Sequence, residues 1–171
     1  MIKPPRPLCA IAAATVVVIA PLLLSAQVQG KSAPPFALKT LEGGLDSLSH
    51  YAGHPILINF WASWCTPCRG EMPFLITAYQ NHQREKLTVL AINLKDQEGS
   101  TKDVTKFVSE FRLPFPVLLD EKGKARRLYA LRGVPTSIFV GPDGMVRAVH
   151  QGPISEPVLQ QRLSEILPPG Q

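Results

Sequence analysis

Cysteine is scarce in this 171-residue chain, occurring only at positions 9, 65 and 68. Three cysteines cannot build the several long-range bridges that hold small secreted domains together. Aromatic residues make up 7% of the sequence and never interleave with a basic run, so no nucleic-acid partner is expected. His50, His54, His82 and His150 are scattered, and none stands at metal spacing from the cysteine pair. Arg69 follows Cys68 where a haem-attachment motif requires histidine. Neither a metal nor another cofactor is therefore expected. Internal repeats, blocks of like charge and a dividing linker are also missing, which leaves one domain as the simplest organisation.

What is present begins with Lys3 and Arg6, followed by an uncharged stretch from Leu8 to Leu24 broken only by Pro21. A short positive region ahead of an apolar run is the pattern of an export signal. Its length lies between a signal-peptide core and a minimal membrane span, so both a cleaved signal and a retained anchor stay open. Residues 1–30 are assigned to this segment and 31–171 to the folded domain, with Ala26 and Gly30 as small residues that permit cleavage. An anchor would keep Lys3 and Arg6 in the cytoplasm and put the domain on the far side, in the periplasm or its extracytoplasmic equivalent. Cys9 falls within the segment and is incidental.

That leaves Cys65 and Cys68 alone in an oxidising compartment. A bridge across a two-residue gap removes almost no unfolded-state entropy and so stabilises little. The pair is better explained as one that is cycled between thiol and disulfide.

The surrounding pattern is α/β. Phe36 to Tyr51 reads as short extended pieces around Gly43-Gly44, an N-terminal hairpin. Ile56 to Trp61 and Leu87 to Leu94 are apolar on both faces, as strands in the middle of a sheet must be. Between them Cys68, Met72, Leu75 and Tyr79 recur at helical spacing, predicting a helix from Thr66 to about Glu85 kinked at Pro73. A capping pattern at Ser100 and Asp103 opens an amphipathic helix to Phe111. Val117 to Leu119 is a short strand, and Ala125 to Leu131 a short helix. Thr136–Val140 and Met145–His150 flank a Gly-Pro-Asp-Gly turn, and a last helix spans about Pro157 to Ile166.

The junction of strand and helix carries the chemistry. The first turn of a helix has unpaired N–H groups and a positive dipole end, which favour a thiolate. Cys65 would be the accessible nucleophile, forming a mixed disulfide that Cys68 then resolves. Pro67 pre-sets φ at the helix start. Glu71 lies at the flank of the apolar arc, where partial burial would raise its pKa, the alternative being a solvated helix carboxylate.

The run from Asn59 to Pro73, Asn-Phe-Trp-Ala-Ser-Trp-Cys-Thr-Pro-Cys-Arg-Gly-Glu-Met-Pro, resembles the thioredoxin superfamily and is similar to its membrane-tethered TlpA and ResA type. The likeness extends over the N-terminal hairpin, the Ser100 to Phe111 insertion and Gly133-Val134-Pro135-Thr136. It implies a thioredoxin-like fold, a central mixed β-sheet flanked by helices, with the hairpin and the helical insertion added. It implies a cis bond before Pro135 and a Val134 backbone that pairs with bound partner. Trp64, Thr66, Pro67, Val134 and Pro135 then form the substrate-binding surface. The resemblance also assigns Glu71 a role in handling protons for the cysteines. Thioredoxin itself has a buried aspartate six residues before its first cysteine, and here that place is Asn59, so any buried acid must be Glu71.

The expected function is a protein-disulfide reductase, with cytochrome c maturation as the setting the resemblance suggests. Its partners would be a protein disulfide substrate and a membrane thiol electron donor, with N-terminal membrane contact if the anchor stays, and a monomer is expected. A disulfide-forming oxidant is the alternative within the same chemistry. A copper metallochaperone using both thiolates is the alternative of another class. A thiol peroxidase would place threonine three residues before its cysteine, where Ala62 stands.

Overall fold

A computed structural model describes residues 28–169, so most of the segment expected to direct export, residues 1–30, lies outside the described residues. Two strands form the centre of the sheet, β3 (Ile56–Trp61) and β4 (Thr88–Asn93), and every residue of both is buried. They pair in parallel, which requires the crossover that α1 (Thr66–Asn81) supplies. The seven strands run in the order β2-β1-β5-β4-β3-β6-β7. On one side β4 pairs in parallel with β5 (Val117–Leu119), and on the other β3 pairs antiparallel with β6 (Thr136–Val140). The hairpin of β1 (Ala37–Thr40) and β2 (Leu45–Ser47) joins antiparallel to β5 and forms one edge. At the other edge β7 (Val146–Gln151) pairs with β6 through a turn in which Gly144 holds φ +77°, a conformation glycine adopts without strain. The fold is thioredoxin-like, with its mixed sheet and flanking helices.

Alternation along the strands separates two apolar layers. Leu57 and Trp61 face α1, α2 (Thr101–Phe111) and α4 (Glu156–Leu163), where Met72, Leu75, Phe107 and Leu159 complete one core. Ile58 and Phe60 face the other way, onto Phe36, Tyr129 and α3 (Lys124–Leu128).

Several element ends differ from the sequence pattern. The first helix stops at Asn81 because no apolar residue after Tyr79 ties the polar stretch to the sheet, and Lys86, at φ +56°, turns the chain into β4. It runs continuously through Pro73, which costs one backbone hydrogen bond within the helix. The third helix ends at Leu128, ahead of a left-handed Ala130. The last ends at Leu163, with Ile166 still buried beyond it. Ser100 caps α2 as expected, its hydroxyl accepting from the Asp103 N–H at 3.3 Å.

The folded body takes in residues that the sequence pattern places in the export segment. Val28 is buried, and the Gly30 N–H donates to the Val146 carbonyl at 2.9 Å. A chain beginning at Lys31 should therefore be less stable than one beginning at Gln27 by about 1–2 kcal/mol. Urea denaturation of the two would show it, and equal midpoints would mean that Val28 adds nothing.

Candidate active site

The loop from Ala62 to Cys65 leaves β3 at its carboxyl end and delivers Cys65 to the N-cap position of α1. There its Sγ accepts the backbone N–H of Cys68 at 3.2 Å, taking up one of the donors that a helix start leaves unpaired. The two sulfurs are joined as a disulfide. Thr66 and Pro67, the first two helical residues, are exposed, and Trp64 is 56% exposed.

One expectation needs correction. Cys65 is only 3% exposed, and Cys68 is fully buried. Joined to Cys68, Cys65 belongs to the core cluster that contains Met72 and Phe107, so the surface landmarks of the site are its neighbours and not the sulfur. Cys65 remains the outer of the two, flanked on both sides by exposed residues.

Glu71 lies three residues beyond Cys68 on α1 and is 1% exposed, so it is not a solvated helix carboxylate. Its Oε1 accepts from Asn59 Nδ2 at 2.8 Å and its Oε2 from the Ile154 N–H at 3.0 Å. Burial pushes the carboxyl up from an ordinary 4.5 to about 7, while these two hydrogen bonds pull it down. A buried acid poised near neutrality can take or give a proton at working pH.

Val134 and Pro135 are joined by a cis peptide bond. Val134 is half-buried and packs against the core that includes both cysteines, while Pro135 is buried. The structure thus gathers Trp64, Cys65, Thr66, Pro67, Cys68 and Glu71 on one strand-helix junction, with Val134 against the same core.

Other residues of the site carried no sequence signal. Glu98, just after a short 3-10 turn at Lys95–Gln97, accepts from the Ser63 N–H at 2.6 Å, from the Ser63 hydroxyl at 2.5 Å and from Asn93 Nδ2 at 2.7 Å. Next to it the Gln97 carbonyl accepts from Trp64 Nε1 at 3.0 Å. Both residues ahead of Cys65 are therefore held from a segment over 30 positions away. Arg69 ties the other side, pairing with Glu110 and stacking over Phe107 and Phe111 at 5.2 and 5.1 Å. Between these supports lies an open groove of about 470 Å³ bordered by Trp64, Arg69, Lys106 and Phe107. No cluster of three metal-ligating side chains occurs among the described residues.

Comparison with known proteins agrees with this geometry. The AhpC/TSA family model matches residues 29–149. The chain is 38% identical over 135 residues to the thioredoxin-like protein YneN of Bacillus subtilis, covering 79% of this chain and 78% of that one. It is 33% identical over 143 residues to the thiol-disulfide oxidoreductase ResA of Oceanobacillus iheyensis, covering 81% and 73%. Among solved structures it superposes on a putative thiol:disulfide interchange protein DsbE from Chlorobium tepidum with a TM-score of 0.74, at 33% identity, covering 81% and 97%.

The raised carboxyl of Glu71 makes stability depend on pH. Between its ordinary 4.5 and about 7 the folded chain keeps a proton that the unfolded chain releases, so stability falls as pH climbs through that window. Glu71→Gln should remove this slope, gaining on the wild type by on the order of 2–3 kcal/mol from the acid end of the window to the neutral end. Denaturant titrations at the two ends would test it, and parallel profiles for both proteins would refute it.

Proposed function

The chain belongs to the AhpC/TSA family, and from that premise we propose that this thiol-disulfide oxidoreductase is an extracytoplasmic disulfide reductase acting on selected proteins. The observation that carries the reading is the Cys65 sulfur at the helix N-cap, accepting the Cys68 N–H, with a buried acid one turn further along. Helix-end donors favour the thiolate of the first cysteine, and the buried acid serves the second.

In the reduced enzyme the Cys65 thiolate attacks one sulfur of a substrate disulfide, forming the mixed disulfide and releasing the other substrate sulfur as a thiolate that takes a proton. Cys68 then gives its proton to the Glu71 carboxylate and attacks Cys65. The substrate's second sulfur leaves and takes up the proton held by Glu71, so that the carboxylate is restored and the Cys65–Cys68 disulfide remains. Two electrons have passed to the substrate with two protons, one taken from water by the first sulfur released and one from Cys68 by way of Glu71. A membrane thiol donor returns the enzyme to the dithiol by the reverse chemistry.

Trp64, Thr66, Pro67 and Val134 form the surface that receives the substrate, and Pro135, itself buried, supplies the cis bond that presents the Val134 backbone. Trp64 supports this by its exposure beside Cys65 and by the Gln97 bond that holds its ring in place. Lys3, Arg6 and the apolar run after them support export, and the relatives named ResA and DsbE support cytochrome c maturation as a setting by analogy alone. A thiol peroxidase fits less well, since Ala62 occupies the place of its threonine and a second cysteine closes a bridge onto the first.

The reductase and oxidant readings separate by potential. A value near that of thioredoxin, about −270 mV, is expected, whereas one near DsbA, about −120 mV, would favour disulfide formation. The mechanism itself separates by trapping. Cys65→Ser should reduce exchange to background, and Cys68→Ser should accumulate a mixed disulfide with the natural substrate, recoverable on non-reducing gels. Repeated turnover by Cys68→Ser without added thiol would overturn the two-cysteine scheme.

A further inference from the structure

The support beneath Glu71 is built by strand register. In the antiparallel β3–β6 pair Asn59 stands directly opposite Ser137, so both side chains rise from the α1 face of the sheet. A slip of one residue would present Ile58 or Phe60 there instead. Asn59 is fully buried and Ser137 is 1% exposed. Asn59 Nδ2 donates both to Glu71 Oε1 at 2.8 Å and to Ser137 Oγ at 3.2 Å. Asn59 Oδ1, equally buried, has no hydrogen-bond partner.

An unmatched buried amide oxygen beside a titratable acid calls for an explanation. An ionised carboxylate only accepts, so the amide must turn its NH₂ toward it, and that is the arrangement present. A neutral carboxyl has an O–H to place. The Ile154 N–H is a donor and cannot receive it, while Asn59 Oδ1 is the acceptor left unused among the groups bonded to Glu71. A half-turn of the amide about Cβ–Cγ exchanges its oxygen and nitrogen. Oδ1 can then accept from the Glu71 O–H and also from the Ser137 hydroxyl, which donates as readily as it accepts, while Nδ2 takes the place where Oδ1 had no partner.

We infer that Asn59, turning against Ser137, is a positioning residue that matches the Glu71 carboxyl to each of its two protonation states. This rests on the reading of Glu71 as the proton carrier for Cys68, and it gives that reading a physical device. The protonation change would otherwise leave a buried donor facing a donor, which a low-dielectric interior penalises. The groups bonded to Glu71, directly or through the Asn59 amide, are Asn59 from β3, Ser137 from β6 and the Ile154 amide ahead of α4, and the titratable side chain on the same face of β7 is His150, opposite Ser137, with its Nε2 3.2 Å from the Pro153 carbonyl. On its own helix the titrating neighbours are Cys65 and Cys68 once reduced, and no charged side chain contributes to its shift.

The test follows two nuclei in the oxidised full-length protein: the Glu71 carboxyl carbon and the Asn59 side-chain amide nitrogen, both by NMR as pH is raised. The Asn59 amide signals should move with the midpoint of the Glu71 carboxyl and should stay still in Glu71→Gln. In Asn59→Leu the carboxyl midpoint should rise by about one pH unit, because the ionised form loses a donor. Asn59 signals that remain fixed in the wild type through the Glu71 titration would overturn the inference. The proton-carrier reading has a separate check, the pH profile of exchange in Glu71→Gln, and a profile identical to wild type would overturn that reading even if Asn59 and Glu71 titrate together.

Discussion

The end of β3 must deliver a sulfur to the first turn of α1, and most of the architecture follows from that requirement. The N-cap position gives Cys65 Sγ the Cys68 N–H as a donor, at 3.2 Å, and places it at the positive end of a helix of 16 residues. Such a junction is rigid only if strand and helix are both fixed. The strand is paired on both sides and fully buried, and the helix is seated by Met72, Leu75 and Ala78 on the same sheet. The loop between them has no regular structure of its own, and Glu98 and Gln97 hold it from outside. Reactive chemistry thus sits on the least regular backbone of the region while every neighbouring element is held in place.

Two electrostatic tendencies oppose each other at this position. Burial of Cys65 disfavours a thiolate, while the helix end and the directed N–H favour it. In the reduced enzyme the proposed nucleophile depends on the Cys68 N–H, charge-assisted once Cys65 ionises, outweighing the cost of burial. The same opposition acts at Glu71, where desolvation is the larger influence and two donors only moderate it. Burial holds the Glu71 carboxyl up near neutrality, and in the proposed mechanism the nucleophile and the proton carrier are groups in these two different environments.

Much of this was legible in the residues themselves. The central strands showed because six consecutive buried positions leave no polar alternation to confuse them, and the Cys-Thr-Pro-Cys spacing marked the helix start. Glu71 was legible through its place beside the apolar arc of α1. Its partners were not, because Ile154 lies 83 positions away and Ser137 reaches the network only through the pairing of β6 with β3. Glu98 was equally silent, an acid in a polar stretch whose contacts with Ser63 exist only after the chain has folded. The concealment of Cys65 was also beyond the pattern, since exposure at a helix start depends on what the closed disulfide packs against. Helix ends were missed where tertiary anchoring, not propensity, sets the boundary, as at Asn81.

The two-cysteine mechanism depends on Cys65 being the sulfur that ionises first. In the fully reduced full-length protein, the rate of alkylation of each cysteine by iodoacetamide can be followed against pH, with mass spectrometry separating the two sites. Cys65 should react ahead of Cys68, with a midpoint below the value of about 8.5 of a free thiol. Faster reaction at Cys68, or midpoints at or above that value for both, would contradict it.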